Sequence, residues 1–369
     1  MVVDPLFNMH KIRFNILDEL VSKNCSNITD GSKINIFINF EMILASLYNP
    51  DTEKYLRMSR VDKVMEFTSN IINLAAHYRL FFAKHKLFSR VFIYLGYPFD
   101  APFKNRNINP SYRYCYKNKY ENNVHNFSTH DILTESITQA RIIMEYINNV
   151  YFITSDIIEP SIIPHILNTD DTTEHINFIV TKDTYDYQYA NSGFYILRPK
   201  KDDSYLLSSE NIIDVMKQEN NIKTEGTIDS NYIPFILSLL GSRKRNIEKI
   251  KGLGFGRLFI TLKKAVDKGV LPPNVYSATI LADLLKEDIR PELLNNYYCT
   301  DILTQYKMLN YRDKHLITSQ VVDKFDNDGL MKMNDMYLRS NPINLTEISS
   351  GDKYFDKSKK KVDVFNLGR

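Results

Sequence analysis

The chain has 369 residues, 43% of them apolar and 25% charged, which is ordinary for a globular protein with ample core. A net charge of +3 excludes a global electrostatic field, so any nucleic-acid surface has to be a local basic patch. Three dispersed cysteines, Cys25, Cys115 and Cys299, match no metal-ligand spacing and argue against a disulfide scaffold. No membrane span is expected, and the start Met-Val-Val-Asp-Pro has no basic region ahead of a long apolar stretch. The expected location is therefore cytoplasmic. With 24 Tyr, 21 Phe, 12 Gly and no Trp, the composition suggests an AT-rich genome, as in a bacteriophage or a low-GC bacterium. A phage source would place the protein in a host cytoplasm or a virion.

In chain order, residues 8–24 have loosely helical apolar spacing. The run Asn35-Ile-Phe-Ile-Asn39 reads as a parallel strand buried on both faces. Residues 58–84 form an amphipathic helix through Val64, Phe67, Ile71, Leu74 and Ala75, followed by a strand over 90–95. A polar, basic segment spans Lys104 to Asn126. A helix over 132–148, a strand over 150–153, a helix over 161–167 and a strand over 176–180 come next. Strands at 195–197 and 204–207 complete the alternating part. This order implies βαβ units: an α/β fold with a mostly parallel central sheet flanked by helices. Helices are expected over 210–218, 231–240, 256–268 and 278–287. The expected organisation is an N-terminal helical extension (1–32), an α/β domain (33–207), a helical region (208–290) and an irregular C-terminal region with a basic tail (291–369).

In an open α/β sheet, ligands gather beyond the carboxyl ends of the strands, so those positions carry the chemistry. The first strand ends at Asn39 and the second at Leu95-Gly96. The third is followed by Asp156-Ile-Ile-Glu159-Pro-Ser161, and the fourth runs into Thr181-Lys-Asp183-Thr-Tyr185-Asp-Tyr-Gln188. An acid followed by proline, as at Glu159, is also good helix-start chemistry. Farther on, Gly241-Ser-Arg-Lys-Arg-Asn-Ile-Glu-Lys-Ile-Lys-Gly-Leu-Gly-Phe-Gly-Arg257 joins two apolar helices through a glycine turn. Gly252 and Gly254 would let a phosphate approach bare backbone N–H groups at a helix start.

These blocks, in this order, resemble the flap endonuclease and phage 5′-exonuclease family, over about residues 33–270. The resemblance implies a PIN-like nuclease fold and a helix–three-turn–helix. In that family the glycine segment reads Gly-Asp-x-x-Asp-Asn-Ile-x-x-x-x-Gly-Ile-Gly; here Asn246-Ile247 and the glycines fit, while Ser242 and Arg245 replace aspartates. Asn39 and Leu95 likewise stand where the family has acids. Glu159 and Asp183 match, Tyr185 replaces a second aspartate, and Asp186 is displaced by one residue and expected to point elsewhere on a helical turn.

Two carboxylates, Glu159 and Asp183, with Asn39 as a neutral position, can share one Mg or Mn ion but make a poor cage for two. The DNA-handling residues are better kept. Lys104, Arg106, Tyr112, Arg113 and Lys117 resemble the base of the family's threading arch, and Arg243, Lys244, Arg245 and Arg257 crowd the turn at Gly252 and Gly254. The expectation is a pseudo-enzyme, or a weak 5′-nuclease relative, that binds flapped, nicked or single-stranded DNA without reading sequence. An interaction module with a protein partner in replication or a virion fits the same residues. The alternatives are an active, divergent Mg- or Mn-dependent 5′-nuclease that also uses Asp156, Asp186 or Asp229, and a structural component of a phage or other large assembly.

Overall fold

A computed structural model describes residues 33–40, 56–84, 88–96, 127–155, 158–169, 175–199, 204–223, 225–242, 247–251, 254–269, 290–322, 327–338 and 345–349. The strands are β1 (Lys33–Asn39), β2 (Phe88–Gly96), β3 (Val150–Ser155), β4 (His175–Val180), β5 (Phe194–Pro199) and β6 (Ser204–Leu207). They form one sheet in the order β3-β2-β1-β4-β5-β6. Every pairing is parallel except that of β5 with β6, which is antiparallel. This is the mostly parallel α/β sheet that the alternating pattern predicts.

The chain builds outward from β1 through β2 to the edge strand β3, then returns to lay β4 on the other side of β1. The order therefore reverses between β1 and β4, the place where open α/β sheets have their crevice at the carboxyl end of the strands.

One face of the sheet is covered by α1 (Arg60–Lys84) and α2 (Phe127–Met144). The start of α1 is a reciprocal cap: Ser59 Oγ accepts from the Asp62 N–H at 3.2 Å and donates to its carboxylate at 2.7 Å. Val64, Phe67, Ile71, Leu74, Ala75 and Tyr78 recur at helical spacing and are buried against Ile36, Ile38, Ile93 and Leu95. The other face carries Phe37, Phe92, Tyr94 and Tyr151, the rings of Phe37, Phe92 and Tyr151 stacked at 5.0 Å from strand to strand.

Against that second face pack α3 (Ile163–Thr169), α4 (Ile212–Glu219), α5 (Ile233–Leu240) and α6 (Phe255–Asp267). Three more helices join them: α7 (Arg290–Thr300), α8 (Ile302–Met308) and α9 (Tyr311–Thr318). The stretch after 290, expected to be irregular, is thus helical among the described residues and continues through α10 (Asn327–Leu338) and α11 (Leu345–Ser349). Weak apolar periodicity hid these helices because they are short and bury few residues each. One apolar cluster runs from Phe37 of β1 to Ile317 of α9, so core packing continues across the expected 207/208 boundary. Two of the expected helices, 8–24 and 278–287, lie outside the described residues. No helix among the described residues is long and apolar enough to cross a membrane.

The fully buried Arg79 ties α11 to the sheet. Its guanidinium donates to the carbonyls of Ser89, Ile348 and Ser349 while stacking over the Phe88 ring at 5.3 Å. Nearby on α1, His77 keeps some surface exposure, but its Nε2 is sealed from solvent, and burial pushes its pKa down to about 4. Between pH 6.5 and pH 4 the unfolded chain gains a proton at this imidazole that the folded chain refuses. Stability should therefore be full above the unfolded value and fall as pH drops, by roughly 2–3 kcal/mol at pH 4 from this group alone. Urea denaturation of the parent and of His77→Gln at both pH values checks this; the variant should lose that share of the acid sensitivity.

Candidate functional site

The register Ile38↔Val180 places Asn39, the last residue of β1, level with Thr181 just past β4, at the reversal of strand order. Thr181 opens a tight turn. Its Oγ1 accepts from the Asp183 N–H at 3.0 Å, and Asp183 Oδ1 caps the next turn by accepting from the Tyr185 N–H at 3.1 Å. The segment that follows, Thr184–Ser192, winds as a 3₁₀ helix and stops at Gly193, whose φ of 77 is left-handed.

Asp183 is extended and Asp186 lies in the first 3₁₀ turn, its N–H bonded to the Asp183 carbonyl at 3.2 Å and its side chain turned to the end of β1. This corrects the expectation that Asp186 points elsewhere, which assumed an α-helical turn. Asp186 is fully buried, and its Oδ2 accepts from Asn39 Nδ2 at 2.9 Å and from Thr181 Oγ1 at 2.6 Å. Two hydrogen bonds from the two strands flanking the crevice thus meet on one carboxylate oxygen. Asn39 is itself 2% exposed. Lys182, between Thr181 and Asp183, has its pKa lowered by burial.

Tyr185 and Gln188 face away from the crevice. Tyr185 donates from its hydroxyl to the Cys299 carbonyl at 3.3 Å and accepts from Gln305 Nε2 at 2.6 Å. Gln188 bonds the Thr300 carbonyl and the Ile302 N–H. Both hold the α7–α8 junction, and burial there pushes the Cys299 thiol pKa up.

Glu159, 3% exposed, precedes the short turn Pro160–Ile162 after β3, and its Oε1 accepts from the Ser161 hydroxyl at 3.2 Å. The Ser161 carbonyl in turn accepts from the Tyr189 hydroxyl, so this turn and the 3₁₀ helix meet across the carboxyl edge of the sheet. Leu95 belongs elsewhere. It alternates with Tyr94 and sits in the core under α1, on the face opposite that of Phe37 and Asn39. Asp229, raised as a possible acid, caps a separate short turn by accepting from the Asn231 N–H at 2.8 Å. Among the described residues no three His, Cys, Asp or Glu side chains cluster as a metal-ion site.

The glycine segment is partly described. After α5, Gly241 takes φ 65 and ψ 178, a conformation essentially confined to glycine. A Cβ there would lie 2.5 Å from the Ile247 carbonyl oxygen. Ser242 and Ile247 bridge as an antiparallel pair, and Asn296 of α7 donates to the Ser238 and Glu248 carbonyls, pinning the segment to α7. Gly254 caps α6 in an extended conformation, φ −100, with open space around it, so its backbone does not require glycine. Arg257, on the first turn of α6, and Lys249 and Lys251 ahead of it are exposed. Lys104, Arg106, Tyr112, Arg113, Lys117, Arg243, Lys244, Arg245 and Gly252 lie outside the described residues.

No protein-family model matches the chain, and no characterised protein matches it in sequence. Solved structures of similar fold include a flap endonuclease of bacteriophage T5, in a pseudo-enzyme–product complex with DNA and metal ions. It is 12% identical, with a TM-score of 0.48, covering 83% of this chain and 98% of that one. A mutant of the T5 5′-exonuclease gives 12% identity and a TM-score of 0.44 over 84% of this chain and 98% of that one. The T5 5′-exonuclease with bound zinc gives 12% identity and 0.43 over 83% and 98%. At these values the likeness assigns no activity to this chain.

Replacing Asn39 by aspartate would set a second carboxylate against Asp186 in a buried crevice and turn a hydrogen bond into a repulsion. Asn39→Asp should cost roughly 2–3 kcal/mol at pH 7. The pair would then share a proton whose affinity rises on folding. The folded state binds more protons than the unfolded one, so stability should recover as pH falls. Urea titrations at pH 7 and pH 5 measure both the loss and its sign.

Proposed function

We propose that this protein is a non-hydrolytic relative of the 5′-nucleases that binds DNA through its backbone. The observation that carries this reading is the Asn39–Asp186 hydrogen bond at the strand-order reversal. Metal-assisted phosphodiester hydrolysis needs several carboxylates with lone pairs directed at two cations about 4 Å apart. Here Asp186 Oδ2 is taken by two protein donors, Asp183 Oδ1 caps a turn, and Glu159 Oε1 accepts a serine hydroxyl. Asn39 brings no charge to a cation, and its Nδ2 is committed to Asp186. These residues fit a pair of Mg or Mn ions poorly.

The binding half of the proposal rests on cations. Lys249, Lys251 and Arg257 are exposed around the start of α6, whose first N–H groups face the opening at Gly254. Arg243, Lys244, Arg245 and the residues at 104–117 would extend that strip, as the sequence resemblance implies. Contacts of this kind grip phosphate without reading bases.

The test is one incubation of labelled flapped duplex with the protein in Mg²⁺ or Mn²⁺. The expected result is a retarded complex with uncut DNA. Binding should fall steeply with salt, and Lys249→Ala, Lys251→Ala and Arg257→Ala combined should reduce the log–log salt slope by about two to three units. Robust cleavage lost in Asp183→Ala would install the active-nuclease alternative. Absence of any salt-dependent binding would favour a protein-interaction or structural role.

A further inference from the structure

Away from the crevice, α8 and α9 carry an exposed aromatic face with a consistent charge. Tyr311 opens α9 and is 82% exposed, the most open large hydrophobic side chain among the described residues. Its ring lies parallel to that of His315, one turn later on the same helix face, with an interplanar angle of 6° and centroids 5.9 Å apart. One side of the phenol is therefore set over a second ring and the other is left to solvent.

The cations around it are not offset by acids. Lys307 and Arg312 are exposed, and Lys314 holds its Nζ 3.7 Å over the Tyr306 ring. Residues 301–318 contain two acids, and both are turned inward. Asp301 is 6% exposed and accepts from the Thr304 N–H at 2.9 Å, while Asp313 is 6% exposed on the buried side of α9. The stretch thus presents positive charge, flat rings and the apolar side chains of Leu303, Met308 and Leu316 to solvent and withholds its carboxylates.

Packing holds the platform firmly. α9 lies against α3 and the edge strand β3, and Gln320 just beyond it pairs with both the N–H and the carbonyl of Thr154, each at 2.9 Å. The Gln320 side chain so takes the hydrogen bonds of a missing strand at the carboxyl end of β3, and this ties α9 to the edge that bears the crevice. A flat, exposed ring paired with His315 and followed by cationic residues suits an unpaired nucleobase with its flanking phosphates. A buried apolar protein contact would instead leave Lys307 and Arg312 to be desolvated.

We infer that Tyr311, backed by His315, is a stacking subsite for an unpaired nucleotide of a single strand, whose phosphates are met by Lys307, Arg312 and Lys314. This rests on the proposed nucleic-acid binding and adds to it a strand type and a place.

The chain has no tryptophan, so Tyr311→Trp installs a unique fluorophore at the site. Titration of that variant with an oligothymidylate of about ten nucleotides should quench its emission saturably. Tyr311→Ala should weaken the same oligonucleotide about ten-fold, the scale of one base–aromatic stack, while blunt-duplex affinity and melting temperature stay at parental values. Oligouridylate forms a second arm; saturable quenching by either strand supports the subsite, and the tighter one identifies it as a DNA or an RNA site. Unquenched emission, or unchanged oligonucleotide affinity in Tyr311→Ala, overturns the subsite alone if duplex binding persists. If the parent binds neither duplex nor single strand at low salt, the nucleic-acid reading falls as well.

Discussion

A carboxylate with no solvent access must find hydrogen-bond donors or lose its charge, and in this chain that constraint falls on Asp186 at the point where the strand order reverses. The donors are an amide at the end of β1 and a hydroxyl at the end of β4. Their convergence fixes the two strands relative to each other at the carboxyl edge, where no ladder bond follows Val180. It also decides the chemistry. In a doubly wound sheet the crevice at the reversal is the place to concentrate negative charge for a cation. Here a neutral amide and a threonine hydroxyl solvate one oxygen of the only carboxylate that they reach.

The rest of the second layer follows from the same turn. Because the chain leaves β4 as a 3₁₀ helix, Asp183 and Asp186 stay together at the crevice while Tyr185 and Gln188 swing toward α7 and α8 and Tyr189 reaches the turn after β3. Tyr185 and Gln188 thus serve as joints between the sheet and the C-terminal helices. On the opposite face Arg79 plays the corresponding part, gathering three carbonyls that include two from α11. Both layers are consequently closed by late segments of the chain, through buried polar contacts that demand good geometry to repay desolvation.

Much of this was legible in the sequence. Runs such as 35–39 and 176–180 are apolar without alternation, which identifies strands buried on both faces, and the strand–helix order yields the parallel sheet. The polar residues that end those strands marked Asn39 and Asp183 as crevice residues. What was not legible depended on backbone winding or on distant partners. Asp186 appeared misplaced because a sequence does not announce a 3₁₀ turn, although Thr181 two residues ahead of Asp183 was a local sign of side-chain capping. Leu95 was assigned by alignment position, but strand alternation alone puts it on the face opposite Phe37. Of the described glycines in the 241–256 segment, it is Gly241, with φ 65, whose backbone needs glycine, while Gly254 is extended. The helices after 290 bury one or two apolar residues each and depend on contacts such as Gln305 to Tyr185. Short-range periodicity carries little trace of either.

On the proposed reading, the two donors that converge on Asp186 Oδ2 leave no place for a pair of catalytic cations. Crystals soaked in millimolar Mn²⁺ and measured for anomalous scattering test it most directly. The account expects no manganese peak among Asn39, Glu159, Asp183 and Asp186, with the Asn39–Asp186 hydrogen bond intact. A peak bridging Asp183 and Asp186, with the Asn39 amide displaced from its carboxylate, would contradict it.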